Sequence, residues 1–126
     1  MKRKELIKKA KTIVVKVGTR VLTKRNNELD TKQIRNLVNQ LAELQGQKYH
    51  LLVVSSGAIG AGMGLLGIKH RPESLPLQQA MAAIGQSRLM RFYDDYFKKK
   101  GILTAQVLLT SSDLEDRQRY LNASNT

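Results

Sequence analysis

The sequence contains no cysteine, and only 5% of its residues are aromatic. Without cysteine there is no disulfide scaffold, no thiolate metal site and no cysteine nucleophile, which fits a reducing compartment. The scarcity of aromatic rings excludes a base-stacking platform interleaved with basic residues. Long apolar runs are also missing. The longest apolar-plus-glycine stretch, Gly57 to Ile68, is too short and too rich in glycine to span a membrane. The first ten residues are basic with no apolar segment behind them, a poor secretory signal. A cytoplasmic protein is therefore expected. Acidic residues are scarce as well: Lys+Arg number 22 against 10 Asp+Glu, a net charge of +12.

What is present is enough for one folded domain. A chain of 126 residues with 41% hydrophobic content can bury a sizeable core. The positive field attracts anions such as nucleotides, phosphorylated metabolites or nucleic acid. The same excess also fits a solvated basic surface. Part of it is local: residues 1–12 hold six Lys/Arg and one Glu, and Lys98, Lys99 and Lys100 form a second cluster where a helix is expected to end.

No internal repeat or low-complexity segment is evident. Residues 3–10 read as a short helix. Thr12 to Val17 (TIVVKV) is β-branched and nearly continuously apolar, as in a strand buried on both faces. Gly18 and Thr19 break it, and a polar loop follows at Asn26 and Asn27. Asp30 or Thr31 is a good N-cap for a helix whose apolar stripe is Ile34, Leu37, Val38, Leu41 and Leu44, with Gly46 at its end. Leu51 to Val54 reads as a second buried strand. Ala58 to Gly67 reads as a helix of small residues packed close to its neighbours. His70 to Pro76 contains both prolines and reads as a loop. Leu77 to about Lys99 reads as a long helix with a stripe of Met81, Gly85, Leu89, Phe92 and Tyr96, stopped by Gly101. Thr104 to Leu109 reads as a third strand. Residues 112–123 read as a helix with Ser112 as N-cap and Glu115 as its capping-box partner. Strands alternating with helices imply right-handed βαβ units and a parallel sheet covered on both faces.

Ligands on such sheets bind beyond the carboxyl ends of the strands. That rule selects Lys16 to Thr19, Ser55 to Ala58 and Thr110 to Asp113. Lys16 interrupts an apolar strand just before the turn. An ammonium there is explained by an anion at the strand end, or by a lysine snorkelling to water from an edge strand. Gly18 admits a phosphate close to the backbone, and Thr19 adds a hydroxyl and an N–H. At the second strand end, Ser56, Gly57 and Ala58 open a helix whose free N–H groups attract anions; an ordinary serine N-cap explains the same residues. His50 and His70 lack partners at metal-ligand spacing and read as structural or exposed. Asp94, Asp95, Glu115 and Asp116 read as helix-surface acids.

Ile13 to Thr19 (IVVKVGT) and Val53 to Gly62 (VVSSGAIGAG) resemble the two opening motifs of the amino-acid kinase superfamily. Gln79 to Met90 (QAMAAIGQSRLM), Ala105 to Thr110 (AQVLLT) and Asp116 to Asn122 (DRQRYLN) narrow the resemblance to its glutamate 5-kinase branch. Arg20 stands where family members often carry serine, and Ser124 where arginine is common.

The resemblance implies an α/β three-layer sandwich with a mostly parallel sheet, incomplete in this chain. It implies ATP-dependent phosphorylation of the L-glutamate side-chain carboxylate to L-glutamyl 5-phosphate, with Mg²⁺, as the first step of proline biosynthesis. It makes Lys16 the catalytic contact to the ATP phosphates, beside Gly18 and Thr19, and gives glutamate binding to Ser56, Gly57 and Ala58. No metal ligand is assigned. Residues 1–126 then form the N-terminal, substrate-binding part of the domain. The later segments, from which the resemblance implies an Asn-Glu-Asn-Asp loop, further glutamate ligands and the nucleotide-binding C-terminal part, are absent, and this portion is expected to be inactive alone. The expected partners are L-glutamate and ATP, with a homo-oligomer for the full-length enzyme, no membrane and no specific nucleic acid. The alternatives are another member of the superfamily, such as an acetylglutamate, aspartate or uridylate kinase, or a non-catalytic basic binding module.

Overall fold

A computed structural model describes residues 3–126. The element order is α1 (Arg3–Lys9), β1 (Thr12–Val17), α2 (Thr19–Leu22), α3 (Thr31–Gly46), β2 (His50–Ser55), α4 (Ala58–Leu65), α5 (Leu75–Lys98), α6 (Ser111–Glu115) and α7 (Arg117–Asn125).

β1 and β2 pair in parallel, from Thr12 opposite His50 to Val17 opposite Ser55. The chain between them crosses over through α3, so the first half is one βαβ unit, as the alternation of patterns predicts. Asp30 caps α3, its carboxylate accepting from the N–H groups of Lys32 and Gln33, both at 3.1 Å. Such a cap is worth about 1 kcal/mol. Packing holds the helix more strongly. Ile34, Val38 and Leu41 are almost completely buried, and each such side chain contributes about 1.5–3 kcal/mol.

The core gathers Val17, Leu22, Ile34, Val38, Leu41, Leu89, Tyr93 and Phe97, with Val15, Leu51 and Val53 half-buried against them. α3 and α5 thus lie together against one face of the sheet. The opposite face is open: Val14 is 62% exposed, Leu52 54% and Val54 52%. This corrects the reading of strands buried on both faces. Burial alternates along both strands, and Lys16 falls on the exposed side with Val14 and Val54.

The α/β class and the parallel sheet stand, but among the described residues the sheet has only two strands. Thr104 to Leu109 forms no strand. The segment is irregular, and Leu103 and Leu108 beside and within it are 96% and 73% exposed. A β-prone run becomes a strand only when another strand accepts its ladder. Here the segment is instead tied to α5, the Thr104 hydroxyl donating to the Asp94 carboxylate at 2.8 Å.

α5 begins at Leu75, two residues earlier than expected, because Ser74 caps it and Pro76 fits its first turn. Its buried stripe is Met81, Gly85, Leu89, Tyr93 and Phe97. Phe92 and Tyr96 flank that stripe, with ring centroids 6.1 Å apart. Gly101, at φ 71°, ends the helix as expected, with the Ile102 N–H reaching back to the Phe97 carbonyl at 3.1 Å.

The final helix is divided at Asp116 into α6 and α7. Its capping box uses Thr110 and Asp113 rather than Ser112 and Glu115. The Asp113 carboxylate accepts from the Thr110 hydroxyl at 2.6 Å and from the Thr110 N–H at 2.7 Å. Those two bonds, helped by the Arg119 guanidinium, hold the Asp113 carboxyl below the usual carboxylate range.

α4 and α5 form a tight hairpin at two glycines. A Cβ on Gly85 would collide with the Ala58 carbonyl and the Gly62 nitrogen, and one on Gly62 with the Met81 carbonyl. The small-residue reading of this stretch is met by that backbone contact. Gly85→Ala and Gly62→Ala should each cost about 1–3 kcal/mol or more through overpacking. Gly46→Ala, where an added Cβ meets nothing within 4 Å, should stay within about 0.5 kcal/mol. Urea unfolding of the three variants measures the difference. Equal midpoints would show that the helices do not depend on the glycine contact.

Candidate functional site

The register that pairs Val17 with Ser55 brings two of the three predicted strand ends side by side. Beyond it, the Ser56 N–H donates to the Val17 carbonyl at 2.9 Å. The chain then turns at Gly57 with φ 108°, a left-handed conformation that favours glycine. A side chain at Gly57 would also press on Leu22, 3.5 Å from its Cδ1. α4 starts directly after this turn. No side chain caps it, so its first N–H groups keep their donor capacity toward the solvent side.

These ends open into a cleft of about 650 Å³. Thr19, Ser56, Gly57 and Ala58 line it, so four of the six predicted site residues meet there. Lys16 and Gly18 are not in the lining. Lys16 stands on the open sheet face, and its exposure removes the argument from a buried ammonium. Gly18 is extended, at φ −79° and ψ 158°, a conformation any residue adopts. A Cβ there would meet nothing within 4 Å. The fold itself therefore places no demand for glycine at position 18.

The third predicted place, Thr110 to Asp113, follows no strand and serves as a helix cap. His50 and His70 are exposed. Among the described residues no group of three or more His, Asp or Glu side chains is arranged to hold a metal ion.

Three polar residues of the cleft were not anticipated: Asn27, Lys69 and Arg71. Asn27 arrives from the turn before α3, where its own φ is 66°. Lys69 and Arg71 come from the α4–α5 loop, read only as a proline-containing connection. The Lys69-His70-Arg71 run directly after a glycine-rich helix was the available signal. No Asp or Glu lines the cleft. Its electrostatics are those of an anion site: two cations, a hydroxyl pair from Thr19 and Ser56, and a helix start.

Behind the cleft, the Ser55 hydroxyl meets the Tyr93 hydroxyl at 3.0 Å. This bond fastens the β2–α4 turn to α5 and the core.

The profile of the Amino acid kinase family matches residues 11–126, and the chain belongs to that family. Among curated proteins it is similar to the glutamate 5-kinase of Citrifermentans bemidjiense, 49% identical over 124 residues, covering 98% of this chain and 33% of that protein. The glutamate 5-kinase of Thermoanaerobacter sp. (strain X514) is 49% identical over 114 residues, 90% of this chain and 31% of its own length. That of Clostridium tetani is 47% identical over 124 residues, 98% of this chain and 46% of its own. The chain thus spans roughly a third of the length of the first of these relatives.

Burial pushes the Tyr93 phenol above its ordinary value, against a smaller opposing effect of the Ser55 bond. A raised value means that the folded state holds its proton longer than the unfolded state. The resulting stability is present below pH about 10 and lost as pH rises through the folded value. Tyr93→Phe should cost about 1 kcal/mol at neutral pH through the lost hydrogen bond. It should also remove the tyrosine part of the decline above pH 10. Thermal melts of both proteins between pH 7 and 11 read this directly; identical slopes would contradict it.

Proposed function

We propose that this chain is the N-terminal, substrate-binding part of a cytoplasmic glutamate 5-kinase. That enzyme transfers the terminal phosphoryl group of ATP to the side-chain carboxylate of L-glutamate, giving L-glutamyl 5-phosphate and ADP, the first step of proline biosynthesis. The observation that carries the reading is the acid-free, cationic cleft at the joined ends of two parallel strands. The name borne by relatives at up to 49% identity supports the choice of substrate.

The chemistry suits such a cleft. A carboxylate is already ionised at neutral pH, so the reaction needs no general base. The work is to hold two anions in line and to balance the charge that develops between them. In this reading, Ser56 and the backbone N–H groups of Gly57 and Ala58 hold the glutamate carboxylate. Lys16, Gly18 and Thr19 face the ATP phosphates. The open space over Gly18 supports a close phosphate approach, and an exposed Lys16 can swing its ammonium toward the strand end. Mg²⁺ finds no carboxylate cluster among the described residues, and no step is assigned to it. The adenine-binding part and the subunit contacts of a homo-oligomer belong to the complete enzyme.

The test is acyl phosphate formation, trapped as the hydroxamate, by the protein at its complete length. Lys16→Ala should lower kcat by about 10²–10³-fold, the usual effect of removing one charge-stabilising donor, and leave the fold intact because Lys16 is exposed. Ser56→Ala should act mainly on the KM for glutamate. A Lys16→Ala enzyme with kcat within threefold of the parent would remove the catalytic assignment.

A further inference from the structure

Arg71 has a support that surface arginines ordinarily lack. Its guanidinium donates to the Gln78 side-chain oxygen at 3.2 Å, and the Gln78 amide donates in turn to the Pro72 carbonyl at 2.7 Å. Gln78 sits in the first turn of α5 and is half-buried. It therefore fixes the loop and aims the guanidinium at once. The Asn27 amide approaches the Ile68 carbonyl at 3.5 Å at the loop's other end. Neither Arg71 nor Lys69 forms an ion pair with a carboxylate among the described residues, unlike Lys24 with Glu28 and Arg119 with Asp113. Both line the cleft, on the α4–α5 loop, whereas Ser56 and the α4 start belong to the β2–α4 turn.

We propose that Arg71, aimed by Gln78 and assisted by Lys69, binds the second, non-reacting carboxylate of the substrate and so selects a dicarboxylic amino acid over a monocarboxylic one. This rests on the carboxylate-kinase reading above. An acceptor carboxylate at Ser56 leaves a second positive wall without a ligand, and a dicarboxylate supplies one. The guanidinium fork matches a carboxylate in a bidentate geometry that an ammonium cannot reproduce. Gln78 occupies one of its five donors, which leaves an edge for the ligand. Gln78 is a positioning residue: it acts through Arg71.

The experiment compares L-glutamate with 4-aminobutanoate, which keeps the amino group and the reacting carboxylate but lacks the other carboxylate. Steady-state kinetics on the complete protein give KM for each, or Ki where the analogue is not turned over. Arg71→Ala should raise the KM for glutamate at least tenfold, leave the KM for ATP unchanged and shrink the preference for glutamate over 4-aminobutanoate by a similar factor. Arg71→Lys should fall between, and Gln78→Leu should reproduce part of the loss. Arg71 is exposed and Lys keeps its charge and most of its stem, so the Lys variant folds. An unchanged KM for glutamate, a preserved preference, or a change confined to the KM for ATP would overturn the proposal while leaving the kinase reading in place. No glutamate-dependent acyl phosphate from the unsubstituted protein would remove both, before any variant is made.

Discussion

Everything in the candidate site depends on the parallel pairing of β1 and β2 and on the bond that continues it, from the Ser56 N–H to the Val17 carbonyl. Parallel strands require a crossover, and α3 supplies it. The pairing sets Gly18–Thr19 beside Ser56–Gly57. The Gly57 turn then sends α4 away from the sheet edge, with its first N–H groups left for a ligand. A one-residue slip in register would turn the inner faces outward. If β2 slipped against β1, Leu51 and Val53 would leave the core, and the strand ends would no longer meet. The register of the two strands thus fixes which backbone groups line the cleft.

Much of this was legible in the sequence because local rules decided it. Asp30 caps α3, Gly101 stops α5, and the stripe of α3 is the buried one. The paired strand ends followed from alternation and from the general behaviour of parallel sheets. What was missed depends on neighbours. Thr104 to Leu109 has strand composition, but composition does not supply a partner. Lys16 was read as lying in a doubly buried strand, because a continuous apolar run does not reveal how many layers cover it. The α5 stripe slipped by one position at Phe92 and Tyr96. The helix keeps four-residue steps through Tyr93 and Phe97, and the two skipped rings flank the stripe where Arg88, Arg35 and Lys99 lie over them. Lys69 and Arg71 share a cleft with Ser56 only because the α4–α5 hairpin folds back.

The basic character of the chain also takes a more definite form. Most of the 22 Lys and Arg residues lie on the surface, as a solvated charge would. Inside the cleft the imbalance is absolute, with two cations and no acid. Charges are damped within about 10 Å at ordinary salt, so Lys69 and Arg71 act mainly on what enters the cleft beside them. The cleft, rather than the net +12, is where the excess charge is concentrated without a carboxylate beside it.

The tight crossing at Gly62 and Gly85 has a mechanical meaning. α5 is tied to the walls of the cleft at two points: through Gln78 to the Arg71 loop near its start, and through Tyr93 to Ser55 about 22 Å further along, by the 1.5 Å rise of a helix. The glycine contact lies between them and has almost no slack. α5 therefore behaves as a rigid beam pinned near its middle, and a tilt about that pin displaces the two walls of the cleft in opposite senses. A change in the angle of that one helix would therefore change the width of the cleft.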